Sequence, residues 1–390
     1  MYNKLEDMDF KDKKVIMRAD YNVPIKDGKI TDDSRIQKTL PTIKYLLENN
    51  ASQIILMSHL GKPKGEIKKD LSLEPVSKRI REIVNEKVYF EQGLIREIDK
   101  LPEAKIIVLE NTRFDPGEKQ NDPLYAQNMA SFADIFVLDA FGASHRKHAS
   151  VTGIMQHLPA CAGKLMQKEL EIIGKVVKNP KKPFIAIIGG AKADKIDVIK
   201  NLLPKVDSLI IGGILANTFL KAKGVDIKGS KYDQDTLDVA DEIIEVGGSK
   251  ILLPEDVIAA GSFLKDAEYK TVSLDEIPQD WLILDIGPET IAKYKEQLKD
   301  SNTITWGGPI GVFEWENFSR GTKEIAEFIA ESDAVSVICG GDSGAAVNRY
   351  GLEDKMTHVS TGGGASLHML SGKKLPGQKA LEENYEKYRE

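Results

Sequence analysis

Near the end of the chain lies a glycine-rich segment, Ser360-Thr361-Gly362-Gly363-Gly364-Ala365-Ser366. It follows a short β-like run at 355–359 and precedes an apolar run at 367–370, which predicts a short helix. Three successive glycines leave main-chain N–H groups unshielded, and a turn that opens a helix adds the positive end of the helix dipole. A second glycine-rich turn, at 340–344, lies upstream. The two turns together indicate a site for an anion, and for a phosphate group in particular.

Outward from this stretch, short apolar runs alternate with amphipathic segments along the whole chain. Helical spacing of apolar residues occurs at 36–47, 76–84 and 124–132. The predicted strands are 15–17, 54–57, 106–109, 135–138, 184–188, 209–211, 251–253, 282–284, 303–306 and 335–338. Apolar strands that alternate with helices are typical of a parallel sheet covered on both faces.

The division into domains is read from one long amphipathic segment, 164–178, which ends at Asn179-Pro180-Lys181-Lys182-Pro183. Two prolines among lysines mark a linker. The sequence therefore predicts an α/β fold with two domains, 1–163 and 179–370, joined by the helix 164–178. The tail, 371–390, is polar and contains Leu375-Pro376-Gly377. It leaves two outcomes open: disorder, or packing on the first domain.

The totals exclude several classes of protein. The 390 residues are 41% hydrophobic and 29% charged, which is ordinary for a globular chain with room for two domains. A net charge of -6 argues against a general nucleic-acid binder. Cys161 and Cys339 have no metal-binding spacing, so we expect buried thiols in a reducing compartment. Without a signal-like segment or an apolar run of about 18 residues, neither export nor membrane insertion is expected.

The segments that follow the predicted strands differ between the two halves, and ligands of open α/β sheets bind at these carboxyl ends. In the first half they are charged, at 18–22, 58–62, 110–113 and 139–148. In the second half they are rich in glycine, at 189–190, 212–213, 287, 307–308 and 340–341. The first half therefore predicts a small anion held by side chains, and the second half a nucleotide approached by the main chain.

The chemistry that joins two such ligands is phosphoryl transfer across a cleft. No G-x-G-x-x-G follows a strand and no G-x-x-x-x-G-K-[ST] occurs, so a dinucleotide site and a P-loop are disfavoured. Transfer between anions needs cations, because like charges about 4 Å apart repel by roughly 4 kcal/mol at an effective dielectric constant of about 20. Asp342 is the candidate Mg²⁺ ligand, since Mg²⁺ typically takes one or two carboxylates plus phosphate oxygens.

These motifs, in their order along essentially the whole chain, resemble those of phosphoglycerate kinases. The matching segments are Arg18-Ala19-Asp20-Tyr21-Asn22, Ser58-His59-Leu60-Gly61, Glu110-Asn111-Thr112-Arg113, Asp285-Ile286-Gly287-Pro288, Gly311-Val312-Phe313-Glu314, Gly341-Asp342-Ser343 and the opening stretch. The resemblance implies reversible, Mg²⁺-dependent transfer between ATP and the carboxylate of 3-phosphoglycerate, giving ADP and 1,3-bisphosphoglycerate, in glycolysis. It also implies two Rossmann-like three-layer α/β/α domains with mainly parallel sheets, hinged by the long helix. The tail would return to the first domain, and the enzyme would be a cytoplasmic monomer.

The resemblance also implies a role for each site residue. The substrate-binding residues would be Asp20, Asn22, Arg35, His59, Lys62, Arg113 and Arg146. The nucleotide-binding residues would be Lys192, Lys195, Gly212, Gly287, Pro309, Glu314, Gly341, Asp342 and Ser343, with Asp342 on Mg²⁺. The catalytic set would be Arg35, Lys192, Gly340 and Gly363, and the amides of 362–364 would donate to the transition state. No general base is needed because the acceptor carboxylate is already ionised, and domain closure would exclude water.

Three positions depart from the family's commonest pattern. Lys62 stands where arginine is usual, and lysine lacks the bidentate fork, so weaker 3-phosphoglycerate binding than in a Lys62→Arg variant is expected. Lys192 and Lys195 are three apart instead of four, which turns their relative direction on a helix by about 100°. Gly307 replaces an asparagine and removes a side-chain amide near the phosphates.

Two other classes of function are weighed against the kinase. One is a catalytically weakened homologue that binds nucleotide or phosphoglycerate as a sensor, which the departures at the nucleotide site keep open. The other is a NAD-dependent dehydrogenase, which lacks its glycine fingerprint. Trp306 and Trp315 are interpreted as core residues, and Glu110 and Asp139 as groups that orient loops or the hinge. A zinc site at His145 and His148 is not expected, because no third ligand is evident.

Overall fold

The computed structural model describes residues 1–190 and 195–389, which form two compact units. The first unit comprises Met1–Glu171 and Lys374–Glu390, and the second comprises Ile172–Lys373. The boundary between the units falls within the long helix that the sequence predicts. Among the described residues, no helix has both the length and the apolar character needed to span a bilayer.

The first unit is built on a parallel sheet with helices around it. Its strands are β1 (Lys14–Ala19), β2 (Ile25–Lys26), β3 (Lys29–Ile30), β4 (Gln53–Met57), β5 (Val88–Glu91), β6 (Ile106–Leu109), β7 (Ile135–Asp139) and β8 (Ala160–Ala162). Its helices are α1 (Ser34–Gln37), α2 (Leu40–Glu48), α3 (Glu74–Ile83), α4 (Gly117–Gln120), α5 (Pro123–Ala130) and α6 (Lys164–Lys178), the last of which continues into the second unit. The six-stranded order β5-β6-β4-β1-β7-β8 is parallel throughout, and β2 and β3 form a separate hairpin.

The second unit repeats this plan and adds a smaller sheet. Its strands are β9 (Phe184–Ile188), β10 (Ser208–Ile211), β11 (Ile251–Leu252), β12 (Asp256–Ala260), β13 (Tyr269–Ser273), β14 (Leu282–Ile286), β15 (Thr303–Gly307), β16 (Val335–Cys339) and β17 (His358–Val359). Its helices are α7 (Lys195–Leu202), α8 (Gly213–Ala222), α9 (Leu237–Gly247), α10 (Pro288–Leu298), α11 (Arg320–Glu331), α12 (Gly341–Arg349) and α13 (Gly364–Leu370). The order β11-β10-β9-β15-β16-β17 is parallel, whereas β13-β12-β14 is antiparallel.

The predicted fold class, two α/β domains with mainly parallel sheets, is confirmed. Each parallel sheet is buried on both faces: all five residues of β4, β7, β9 and β15 are buried, which is why these strands read as unbroken apolar runs. Trp306 is fully buried in the core of the second unit, as predicted, and its indole N–H donates to Gly308 O.

Some elements differ from the prediction. The pattern at 36–47 predicts one helix, but the structure has α1 and α2, because Pro41 lies in the first turn of α2 and favours a new helix start over a continuous one. The strand at 282–284 exists as β14, but it lies in the small antiparallel sheet rather than in the parallel one. Strands β5, β8, β12 and β13 were not predicted. Strand β8 is short and β5 and β13 are partly exposed, whereas β12 is a buried and mainly apolar strand that the sequence analysis overlooked.

The tail is ordered in the first unit as helix α14 (Pro376–Tyr388). Leu375 and Leu381 are fully buried, and Asn384 ties the helix to the main chain near β8. The Asn384 amide donates to Met155 O (2.7 Å) and Leu158 O (2.8 Å), and its oxygen accepts from Ala160 N (2.8 Å). Every hydrogen-bonding group of this buried side chain that faces the sheet is therefore satisfied.

Buried carboxylates hold the ends of several elements. Asp139 accepts from the main-chain N–H of Met166 in the first turn of α6 (3.1 Å) and from Thr42 Oγ1 (2.7 Å). Glu110 accepts from the Leu73 N–H (2.9 Å) and from Ser72 Oγ (2.7 Å). Both residues thus hold neighbouring segments in place, which agrees with the structural roles inferred for them.

Asp285, at the end of β14, is a buried carboxyl that is only half satisfied. Its Oδ2 accepts from the Gly321 N–H at the start of α11 (2.8 Å), whereas its Oδ1 has no hydrogen-bond partner among the described residues. Burial raises the pKa of Asp285 to about 7, although the amide contacts and Arg320 act to lower it. Protonation therefore stabilises the fold at low pH, and this contribution is lost as the pH rises from about 4 to about 7.

We expect Asp285→Asn to remove this pH dependence. Because the variant is neutral at every pH, its free energy of unfolding should gain on the wild type by about 1.4 kcal/mol per pH unit across that window and by nothing above it. Urea unfolding from about pH 5 to about pH 8 measures the difference. Asp300→Asn, which removes an exposed carboxylate from the same unit, is the control for loss of charge. A constant difference between Asp285→Asn and wild type would contradict the prediction.

Candidate active site

The carboxyl ends of four adjacent strands in the first unit bring the predicted substrate residues together. Because β6, β4, β1 and β7 are parallel neighbours, the residues that follow them meet at one edge of the sheet. Asp20 and Asn22 follow β1, His59 follows β4, Arg113 follows β6 and Arg146 follows β7. Charged side chains from distant parts of the sequence thus form one cluster.

Contacts within the cluster connect most of these residues. Arg35, at the start of α1, forms an ion pair with Asp20 (Nη1–Oδ2, 3.0 Å). Asn22 Oδ1 accepts from the Gly61 N–H (2.8 Å), and Arg113 Nη1 donates to Gly61 O (2.8 Å). The loop after β4 is therefore fixed from two sides.

Positive charge in this cluster is held partly out of water. Burial, and then the charges of Arg146 and Arg18, lower the pKa of Arg113 to about 10. Its Nε is buried and has no hydrogen-bond partner in the described part of the chain. A guanidinium with an unused buried donor and cationic neighbours is a site that an anion would stabilise.

His59 is a neutral member of the cluster. Burial lowers the pKa of His59 well below its ordinary value, and Arg18, Arg113 and Arg146 lower it further. Its Nδ1 lies 3.1 Å from Arg18 Nη2 and 3.9 Å from Asp20 Oδ1. Because the ring is uncharged and Nδ1 must accept from Arg18, the longer approach to Asp20 is not an ion pair.

The remaining two substrate candidates lie at the edge of this cluster. Arg146 is half-buried, and its Nε contacts His145 Nε2 (3.1 Å). Lys62 is exposed and follows Gly61, whose φ of +61° turns the loop. The structure therefore brings together six of the seven predicted substrate residues, while Lys62 is exposed beside Gly61 in the same loop.

A buried layer lies beneath the cluster, and of its residues the sequence analysis named only Arg18, as part of the charged segment 18–22 and without a separate role. Arg18 and Glu118 are fully buried, and Ser150 lies between them. The position of Arg18 at the end of an otherwise apolar strand was the signal that could have identified it as a buried arginine. Glu118 gave no signal, because a glutamate in the polar segment 117–122 is typical of a surface turn.

In the second unit, a cavity of about 250 Å³ opens at the carboxyl ends of the strands. Its lining is mostly apolar and includes Ile214, Phe263 and Leu284. Three of the predicted nucleotide residues line the cavity: Pro309, Glu314 and Asp342. Gly190 also lines it, and so does Gly213, the neighbour of the predicted Gly212. Such a pocket suits a flat, largely apolar ring with a few polar contacts at its rim.

Glycine is required where the second unit's loops approach one another. A Cβ on Gly189 would lie 2.1 Å from Pro309 O, and Gly308 has a φ of +96° with Gly189 O at 2.2 Å from its would-be Cβ. Gly307 is different, because a Cβ there would meet Leu367 Cδ2 at an ordinary 3.4 Å. The backbone therefore does not require glycine at 307, and steric contact at Cβ does not explain why glycine replaces asparagine here.

The two predicted lysines have different outcomes. Lys192 lies outside the described residues. Lys195 begins α7 and is buried, and its ammonium group donates to Gly189 O and to Gly307 O (3.2 Å). In this structure Lys195 thus holds the carboxyl ends of β9 and β15, and its contact with nucleotide phosphates remains a prediction.

Both glycine-rich turns open helices, which the sequence predicted for the turn at 360–366 but not for the one at 340–344. Gly340 precedes α12 with a φ of +97°, and Gly363 precedes α13 with a φ of +49°. Ser343 Oγ donates to Cys339 O (2.5 Å) and accepts from the Gly308 N–H (3.2 Å), so its hydroxyl is already engaged. The Gly362 N–H donates to Ser360 Oγ (3.1 Å). The amides of 362–364 are therefore not all available to a ligand in this structure.

Gly287 has less access to a ligand than its motif suggested. It precedes α10, but Asp256 already accepts from the first-turn amides of Glu289 (3.1 Å) and Thr290 (2.8 Å). A Cβ on Gly287 would lie 2.1 Å from Asp256 Oδ2. This glycine is explained by the close approach of the capping carboxylate.

Asp342 fits a metal ion only together with a ligand. It is exposed in the first turn of α12 and lines the cavity. The described residues contain no group of three or more His, Cys, Asp or Glu side chains that could hold a metal. One carboxylate at the rim is the donor set expected where Mg²⁺ is bound mainly by phosphate oxygens and water.

Comparison with known proteins gives one consistent family. The family model described as phosphoglycerate kinase matches residues 5–373. The chain is 50% identical over 386 residues to the phosphoglycerate kinase of Thermosipho africanus (96% of each chain) and 47% identical over 388 residues to that of Moorella thermoacetica (97% of this chain, 98% of the other).

Solved structures agree with the sequence comparison. The phosphoglycerate kinase of Coxiella burnetii superposes with a TM-score of 0.89 at 41% identity, covering 98% of this chain and 99% of that one. The phosphoglycerate kinase of Pyrococcus horikoshii superposes with a TM-score of 0.86 at 33% identity, covering 100% of both. With the fold, the motifs and both kinds of comparison in agreement, the chain belongs to the phosphoglycerate kinase family.

Proposed function

We propose that the chain carries out the reaction of its family with one ligand in each unit: 3-phosphoglycerate at the cation cluster of the first, and ATP or ADP at the cavity of the second. The observation that carries the proposal is the unpaired, buried Nε of Arg113 among cationic neighbours. A compact ligand with two anionic ends would satisfy that donor and relieve the repulsion around it. The weakened-homologue alternative is not favoured.

In the first unit, the acid is held by side chains. Arg113 and Arg146 bind its phosphate, and His59 donates a hydrogen bond to an anionic oxygen. Arg35, paired with Asp20 at 3.0 Å, can reach the reacting carboxylate because it is one-third exposed. Lys62 contributes a single charge at the rim, and Asn22 offers its amide to a hydroxyl.

In the second unit, the nucleotide is held mainly by the main chain. The base enters the apolar cavity, and Glu314 at its rim accepts from the ribose hydroxyls. The phosphates lie at the start of α12, where the first-turn amides near Gly341 and the helix dipole favour negative charge. Lys195 would join them by leaving the carbonyls that now hold it, and Lys192 would follow the moving group.

Asp342 would hold the Mg²⁺ of the bound nucleotide, which neutralises charge on the phosphate oxygens. The acceptor carboxylate attacks without a general base, since it is ionised at neutral pH. The chain's own contribution is positioning and charge stabilisation by Arg35 and the glycine-rich amides. A monomer in the cytoplasm is part of the proposal, and the two buried free thiols of Cys161 and Cys339 suit a reducing compartment.

Arg35→Ala tests the proposal at the reacting carboxylate. An arginine that acts on a transferring phosphoryl group contributes about 10³-fold or more to the rate, so kcat should fall by about that factor. The assay supplies Mg-ATP and 3-phosphoglycerate and couples the product to NADH oxidation.

Arg79→Ala is the matched control, because Arg79 is similarly exposed (38% against 34%) and also pairs with aspartate, Asp33, at 2.8 Å. It should change kcat by less than about twofold. A loss below about tenfold in Arg35→Ala would remove Arg35 from the transfer step.

Lys62→Arg tests the side-chain grip on the acid. The guanidinium fork can bind a phosphate through two hydrogen bonds, so we expect the KM for 3-phosphoglycerate to fall about three- to tenfold with the KM for ATP unchanged. Lys64→Arg, also exposed and two residues along the same loop, is the control. Equal KM values for 3-phosphoglycerate in wild type and Lys62→Arg would count against a ligand contact at this position.

A further inference from the structure

Beneath the cation cluster, the fully buried guanidinium of Arg18 forms hydrogen bonds with other groups of the protein. Its Nε donates to Ser150 Oγ (2.7 Å), and its Nη1 donates to Ala19 O. Its Nη2 lies 3.1 Å from His59 Nδ1. Arg18 therefore acts on the cluster through another residue, His59.

Proton counting fixes the direction of each bond at the Ser150 end. Arginine can only donate, so Ser150 Oγ must accept from it and has a single proton left to give. The Ser150 hydroxyl donates this proton to Glu118 Oε1 (2.7 Å), and the Ser150 main-chain N–H donates to Glu118 Oε2 (2.9 Å). An ionised Glu118 accepts most strongly at both oxygens, because it carries no proton of its own.

The environment of Glu118 keeps it ionised. Burial acts to raise the pKa of this carboxyl, but His148, Arg18 and the two Ser150 donors outweigh it and lower the pKa to about 2. His148 Nδ1 lies 3.5 Å from Glu118 Oε1, which is a long and therefore weak hydrogen-bond distance.

At the other end, the same rule decides which ring nitrogen of His59 carries the proton. Since Arg18 Nη2 can only donate, His59 Nδ1 must present its lone pair, and the proton of the neutral ring must be on Nε2. An Nε2–H group donates to an anion, whereas the opposite tautomer would direct a lone pair at it.

We infer that Glu118 and Ser150 are positioning residues: the chain of hydrogen bonds Glu118–Ser150–Arg18–His59 holds His59 as a neutral Nε2–H donor towards the anionic ligand. Its consequence for binding rests on the proposed place of 3-phosphoglycerate in the first unit. Ser150 also keeps Arg18 in place. Arg18 Nη2 is only 3.9 Å from Glu118 Oε1, and the serine hydroxyl bonded to both residues holds the two opposite charges apart. Without the serine hydroxyl, the guanidinium would close on Glu118 and withdraw from His59.

The test combines ring ¹⁵N NMR of His59 with kinetics of Ser150→Ala. In the wild type, at a pH where the ring is neutral, Nδ1 should have the shift of an unprotonated nitrogen and Nε2 that of a protonated one. The His59 signals are assigned by their loss in His59→Asn. Ser150→Ala should show a mixture of tautomers and about a tenfold higher KM for 3-phosphoglycerate, with the KM for ATP unchanged.

Ser144→Ala is the matched control, because Ser144 is also a buried serine of the first unit, and its hydroxyl donates only to nearby Phe141 O (2.6 Å). A proton on Nδ1 in the wild type would overturn the inference, as would a Ser150→Ala variant with the tautomer and KM of Ser144→Ala. If the tautomer is as expected and changes in Ser150→Ala while neither protein binds 3-phosphoglycerate, the hydrogen-bond chain is upheld and the proposed function is overturned.

Discussion

The first unit depends on one constraint: several arginine side chains lie close together and are largely buried from water. Burial lowers the pKa values of Arg18 and Arg113, and the charge of Arg146 lowers both further; Arg18 is fully buried. Two like charges about 4 Å apart repel by roughly 4 kcal/mol at an effective dielectric constant of about 20. The fold keeps them together because buried Glu118 and part-buried Asp20 supply fixed negative charge. The site therefore has its cations in place before an anion arrives, and little reorganisation remains for the reaction.

The second unit relies on main chain instead of charged side chains, and its proposed ligand is a large molecule that must approach the backbone closely. Gly189, Gly308 and Gly213 lie where any Cβ would collide with backbone or where φ is positive. The loops they form surround a cavity with mostly apolar walls, and Asp342 lies at its edge near the start of α12. Lys195 holds two of these loops through their carbonyl oxygens. Under the proposed function, side chains would recognise one ligand, and the shape of the backbone would recognise the other.

The sequence predicted the parts of this arrangement that have a local signature. Apolar runs located most of the parallel strands to within a residue or two, though not β5 and β8. The residues after these strands located the cluster at Asp20, His59 and Arg113. Glu118 and Ser150 were missed, because their role comes from contacts with Arg18, a hundred or more residues away in the chain. The capping of α10 by Asp256 was missed for the same reason, and a nucleotide contact at Gly287 stays a prediction. Pattern reveals elements and strand ends, but long-range hydrogen bonds require the folded chain.

The most direct measurement is a pair of crystal structures, one with 3-phosphoglycerate alone and one with ADP and Mg²⁺ alone. The account predicts that the acid's anionic groups lie within about 3 Å of Arg113 and its cationic neighbours in the first unit. It also predicts that ADP occupies the cavity beside Asp342 and the start of α12 in the second unit. Both ligands in the same unit, or an acid that leaves Arg113 without a contact, would contradict it.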